Sequence, residues 1–155
     1  MTARILPGIP ESVRVARQLV RSKLGAGHPA AEAAALAVSE LATNAIAYTR
    51  SGLPGGVFAV SVSAGPATVL IRVVDLGSRT APVLAGAAPG PGDEHGRGLA
   101  VVDAIADQWG SELTPAGRVT WCVFGCAAPA EPLNTGVHVP PGTRARAHAR
   151  EAART

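Results

Sequence analysis

Apolar residues change their spacing three times between Pro10 and Cys126, and this alternation constrains the fold more than any other feature of the chain. Helical spacing comes first. From Pro10 to Leu24, residues Val13, Ala16, Val20 and Leu24 share a face with Leu19 beside it, and Arg14, Arg17, Arg21 and Lys23 take the other face. Gly25-Ala26-Gly27 ends that helix. A second helix is expected from about Pro29, a favoured first-turn residue, to Ala47, with Ala34, Val38, Leu41, Ala42 and Ala45 as its stripe. Alternation of period two follows in Val57–Ser63 and Ala67–Val74, which flank Gly65-Pro66 as in a hairpin. Helical spacing returns from Gly98 to about Asp107, where Leu99, Val102, Ile105 and Ala106 align. Strands near Ser111–Leu113 and Val119–Cys126, joined by Pro115-Ala116-Gly117, close the pattern. One-faced helices and alternating strands predict a two-layer α/β sandwich, with helices on one face of a mixed, mostly antiparallel sheet.

Two stretches fall outside this pattern. Gly77 to Gly96 is rich in Gly, Pro and Ala and has no periodicity. A connection of about twenty residues inside a compact domain usually serves as a lid or a binding loop. Residues 127–155 carry Ala127-Ala128-Pro129-Ala130-Glu131-Pro132 and Pro140-Pro141-Gly142, which cannot pack a core. The expected organisation is one domain over 1–126 and a Pro/Ala/Arg-rich, disordered tail over 127–155, whose end from Thr143 could form a frayed basic helix.

Composition removes several classes. The 155 residues suit one domain, and 47% apolar residues suffice for its core. Aromatics make only 3%, so Ala, Val, Leu and Ile must build that core. Gly (18) and Pro (13) exceed their usual ~12% share without any collagen-like period. Lys23 is the sole lysine among 14 basic residues, a bias that points to a G+C-rich genome. No apolar run reaches the ~18 residues of a membrane span, and the start of the chain lacks a signal-peptide run, so a cytoplasmic protein is expected. Cys122 and Cys126 would sit roughly 13 Å apart on a strand at ~3.3 Å per residue, too far for a disulfide, and are expected as buried thiols. The net charge of +3 divides into +1 for residues 1–126 and +2 for the tail, so the body gives little reason to expect nucleic acid.

Three motifs can carry chemistry. Glu40 and Asn44 stand at i and i+4 on the second helix, about 100° from its apolar stripe. A carboxylate and an amide there can position a divalent cation and a water or hydroxyl. On spacing alone, a solvated helix face is the simpler reading. Asp75-Leu76-Gly77 ends an apolar strand, where the carboxylate can accept from an exocyclic amine such as that of adenine and the glycine admits a ligand close to the backbone. Alone, it also fits a turn that merely ends a strand. Gly96-Arg97-Gly98-Leu99 opens the third helix, where free N–H groups and the helix dipole favour phosphate, with Arg97 as an added cation. Alone, it fits ordinary loop glycines. It is neither a Walker motif nor a dinucleotide fingerprint.

The order of these motifs is more specific than any one of them. Glu-x3-Asn on a helix, a hairpin, Asp-x-Gly, a long loop and Gly-x-Gly opening a helix resemble the Bergerat (GHKL) ATP-binding fold of gyrase, the large heat-shock chaperone, histidine kinases and mismatch-repair ATPases. Within it, the chain looks most like the anti-sigma-factor serine kinases, in particular the small stand-alone ATP-binding regulatory proteins of actinomycetes. The added likeness lies in Pro10-Glu11-Ser12-Val13-Arg14, Val38-Ser39-Glu40-Leu41-Ala42-Thr43-Asn44-Ala45, Val102-Asp103, Ala106-Asp107-Gln108-Trp109-Gly110 and Trp121, and it covers roughly residues 4–125. The resemblance implies that Asn44 is the Mg²⁺ ligand and Glu40 the general base. It implies that Asp75 binds the adenine amine with Gly77 beneath the base, and that Gly96, Arg97, Gly98 and Leu99 line the phosphates. Two positions depart from it: Ser78-Arg79 stand where relatives often have a second glycine, and Val119, with Thr120 next to it, stands where they often have Thr.

The function so implied is an ATP-dependent protein serine/threonine kinase of anti-sigma type. It would phosphorylate a STAS-domain anti-anti-sigma partner, bind a sigma factor alternately, and so regulate transcription. A homodimer through the first helix and the sheet edge fits the same family. The alternative is a non-catalytic ATP-binding module that sequesters a regulatory protein. In keeping with it, the loop from Thr80 to Gly96 holds no Lys or Arg. A histidine kinase is not expected, because His28, His95, His138 and His148 lie in loops or the tail. Nucleic-acid binding by the tail is a minor option.

Overall fold

The computed structural model describes residues 1–77 and 97–125; the loop and tail expectations for 78–96 and 126–155, Cys126 included, lie outside them. The element order is β1 (Thr2–Pro7), α1 (Glu11–Leu24), α2 (Ala31–Tyr48), a single 3-10 turn (Arg50–Gly52), β2 (Val57–Ala64), β3 (Thr68–Asp75), α3 (Arg97–Ile105), β4 (Gln108–Thr114) and β5 (Gly117–Gly125). The strands form one five-stranded sheet in the order β1-β2-β3-β5-β4. Every described pairing is antiparallel, so the parallel component allowed for by a mixed sheet does not occur among the described residues.

The register explains the two layers. Val60 pairs with Val73, Val62 with Ile71, and Ile71 with Cys122, so Phe58, Val60, Val62, Val69, Ile71, Val73, Cys122 and Phe124 share one face. All eight are buried in one cluster with Ala16 and Val20 of α1, Ala34, Val38, Leu41, Ala42 and Ala45 of α2, and Val102 of α3. Small side chains let α2 lie close to the sheet while α1 and α3 pack on it from either side. Nine of its residues are buried, more than a surface helix needs. The core is therefore aliphatic, with Phe58 and Phe124 as its aromatic members.

β1 was not expected. It is an edge strand whose Ala3, Arg4 and Ile5 are exposed, and Leu6 alone is buried, so it lacks the alternation that marks a half-covered strand. The helix expected from Pro29 begins at Ala31, because His28, Pro29 and Ala30 form a turn in which His28 Nδ1 accepts from Ala30 N at 3.2 Å. The third helix stops at Ile105, and Asp107 N already donates to Val123 O at 3.0 Å. Cys122 is a buried free thiol, as expected, and desolvation pushes its pKa up to about 12. No helix among the described residues is long and apolar enough to cross a membrane.

Candidate functional site

α2 presents Glu40 and Asn44, both half-buried, on the side where α3 begins. The approach of the two helices is close. A Cβ built on Gly98 would lie 2.8 Å from Glu40 Oε2, 3.4 Å from Asn44 Oδ1 and 3.5 Å from Asn44 Nδ2. A side chain at this position would push the Glu40 carboxylate aside, while Asn44 would stay at ordinary contact distance. The structure thus brings together two motifs separated by more than fifty residues of sequence. Leu99 packs against the core and fixes the turn. Arg97 is the first residue of α3; its side chain and Gly96 lie outside the described residues.

Two polar bonds tie α3 and the residues that follow it to the sheet. Asp103 Oδ1 accepts from Trp109 Nε1 at 2.9 Å, and the Asp107 carboxylate accepts from Gly125 N. On the opposite face of the sheet, Gly110 makes room for the Trp121 ring, which would lie 2.7 Å from an added Cβ. These contacts give Asp103 and Asp107 structural roles at the α3–β4 junction, and Gly110 and Trp121 a structural role at the β4–β5 edge.

Asp75 ends β3 and is only 5% exposed. Its Oδ1 accepts from Gly77 N at 2.7 Å. Burial raises its pKa above the ordinary carboxylate value, opposed by the Gly77 N–H and the nearby positive charge of Arg118. Gly77 has φ +76°, a conformation that favours glycine. From the other side Gly117 approaches so closely that a Cβ there would overlap the Asp75 carbonyl oxygen, at 1.8 Å. Asp75 pairs with Arg118 and Val73 with Thr120, so Thr120 lies on the same face of the sheet as Asp75, and Val119 lies on the other. The departure at Val119 therefore leaves a threonine on the carboxylate's side, where its hydroxyl meets Ser111 Oγ at 3.0 Å. The departure at Ser78-Arg79 lies outside the described residues.

Sequence reasoning missed the 3-10 turn that follows α2. Ser51-Gly52 reads as the start of a loop, yet Ser51 is fully buried and its Oγ accepts from Leu76 N at 2.9 Å. Arg50 Nε and Nη2 donate to Leu76 O at 3.0 and 2.7 Å, and Arg50 N donates to Gly77 O at 2.9 Å. The available signal was Thr49-x-Ser51 at a helix end. Thr49 Oγ1 donates to Ala45 O and accepts from Ser51 N, a local bonding pattern that stops helices.

Among the described residues no three His, Cys, Asp or Glu side chains converge. One carboxylate and one amide suit a magnesium ion whose other ligands are phosphate and water, because Mg²⁺ usually keeps its waters and takes few protein donors. Comparison with known families gives a match to a histidine kinase-like ATPase domain over residues 6–124. No curated protein matches the chain.

Proposed function

We propose that this chain, which belongs to the family of histidine kinase-like ATPase domains, works as a Mg-ATP-dependent protein serine/threonine kinase of anti-sigma type. The observation that supports the reading is the close approach of Gly98, in the first turn of α3, to the polar tips of Glu40 and Asn44 on α2. Asn44 would hold Mg²⁺, and Asp75 with Gly77 would receive the adenine. The free N–H groups at the start of α3 would face the phosphates, with Gly96 and Arg97 completing that end. Bound magnesium would supply charge neutralisation on the phosphate oxygens. A serine or threonine hydroxyl of the partner attacks the γ-phosphorus, the bond to the β–γ bridging oxygen breaks, and ADP leaves with the electron pair. Glu40 takes the hydroxyl proton.

The partner in this reading is a STAS-domain anti-anti-sigma protein, with a sigma factor as the alternate ligand. A dimer through α1 and the β1 edge is part of it; Ile5 and Val15 are exposed there. The reading is tested by capturing partners with and without Mg-ATP and then assaying transfer to the captured STAS protein. Transfer that is lost in Glu40→Gln supports it. A partner that binds wild type and is never phosphorylated would replace the kinase by the non-catalytic sequestering module.

A further inference from the structure

The peptide group between Leu76 and Gly77 is gripped at both ends of its dipole. Its carbonyl oxygen accepts from Arg50 Nε at 3.0 Å and Nη2 at 2.7 Å. Its N–H donates to Asp75 Oδ1 at 2.7 Å. The flanking groups are tied down too, Leu76 N to Ser51 Oγ and Gly77 O to Arg50 N. A guanidinium on the carbonyl polarises the peptide, and bonds in series strengthen one another, so the N–H becomes a better donor to the carboxylate. With Oδ1 committed to Gly77, rotation of the Asp75 carboxylate is restricted, and Oδ2 is the oxygen assigned here to a ligand amine.

Arg50 follows Asn44 by six residues, and the turn that carries it is locked to the end of α2 through Thr49. One continuous segment therefore bears the metal-side residues and grips the base-side turn.

We infer that Arg50 is a positioning residue for base selection, holding the Leu76–Gly77 peptide so that the Asp75 carboxylate is aimed at an exocyclic amine. It acts without touching the base. The inference rests on the adenine role of Asp75 proposed above. Its logic differs from a stabilising role, because Arg50 is exposed and is not a member of the buried cluster.

The test compares ATP with purine riboside triphosphate, which lacks the amine, by equilibrium titration of the full chain with Mg²⁺. Wild type should prefer ATP by about tenfold. Arg50→Ala should weaken ATP by about tenfold and leave the purine analogue within about twofold. Arg50→Lys, with one nitrogen in place of a fork, should fall between. Asp75→Asn should abolish the same preference, and the double variant should lose no more than the single ones. In the nucleotide-free protein, the Gly77 amide proton should move upfield in Arg50→Ala as its bond to Asp75 weakens. Equal losses for both nucleotides, or an undiminished preference in Arg50→Ala, would overturn the inference. If wild type shows no preference, or Asp75→Asn keeps it in full, the adenine role of Asp75 fails and the inference falls with it.

Discussion

At the scale of single residues, Gly98 separates fold from function. Alanine is a better helix former than glycine, and Gly98 is the second residue of α3, so Gly98→Ala should at least hold the melting temperature. Its new methyl would stand 2.8 Å from Glu40 Oε2, and the carboxylate must move away. Phosphoryl transfer should fall while stability does not; a variant that melts earlier and transfers normally would contradict this. Glu40→Gln complements it. On the proposed reading it should leave ATP affinity within about threefold, on the order of 0.7 kcal/mol, and cut phosphoryl transfer by about 10²–10⁴, the usual worth of a general base. Asp75 behaves in the opposite sense to a salt-bridged carboxylate. Burial raises its folded pKa, so the ionised group costs stability above that pKa, and the cost vanishes as pH falls below the unfolded value. Asp75→Asn should therefore melt no lower than wild type at neutral pH, with any advantage shrinking on acidification, while ATP binding drops. Thermal melts across pH and a nucleotide titration check both halves. Glu40, Asn44 and Asp75 stand out in the chain as candidates because their motifs are local in sequence. Arg50 does not, since its partners are backbone groups twenty-six residues away.

At the scale of elements, legibility tracked burial. α1, α2, β2, β3 and β5 each cover one face against the core, so their apolar spacing betrays them. β1 and the ends of β4 lie at the sheet edges, where one neighbour and partial exposure leave no spacing to read. Gly110 shows how such an edge is still specified. It faces Trp121 directly across the β4–β5 ladder, on the side away from the buried helices, and an added Cβ would lie 2.7 Å from the ring. Gly110→Ala should force the indole or the edge strand to shift and cost about 1–3 kcal/mol. For a domain near 100 residues that corresponds to a fall of at least about 4 °C in melting temperature. Because β4 also carries Trp109, the partner of Asp103, loosening the edge should loosen α3 as well. A Gly110→Ala protein that melts like wild type would show that the ring relocates freely.

At the scale of the whole molecule, the buried cluster among the described residues runs from Leu6 to Phe124, and the family match covers almost the same span. Residues 127–155 carry Pro-rich runs whose composition cannot pack a core. Truncation after Cys126 should therefore leave the melting temperature and ATP affinity close to those of the full chain, and reduce the net charge from +3 to +1. Any affinity for nucleic acid should go with the removed arginines and fade with salt in the full chain. The sheet offers one way for this to fail. β5 alternates Cys122 and Phe124 toward the helices with Trp121 and Val123 away from them, and all four are buried. If truncation lowers the melting temperature and shifts the emission of Trp121 to the red, the tail shields the helix-free face and belongs to the fold. If emission and melting stay put, neighbouring strands suffice to cover Trp121, and residues 1–126 fold on their own.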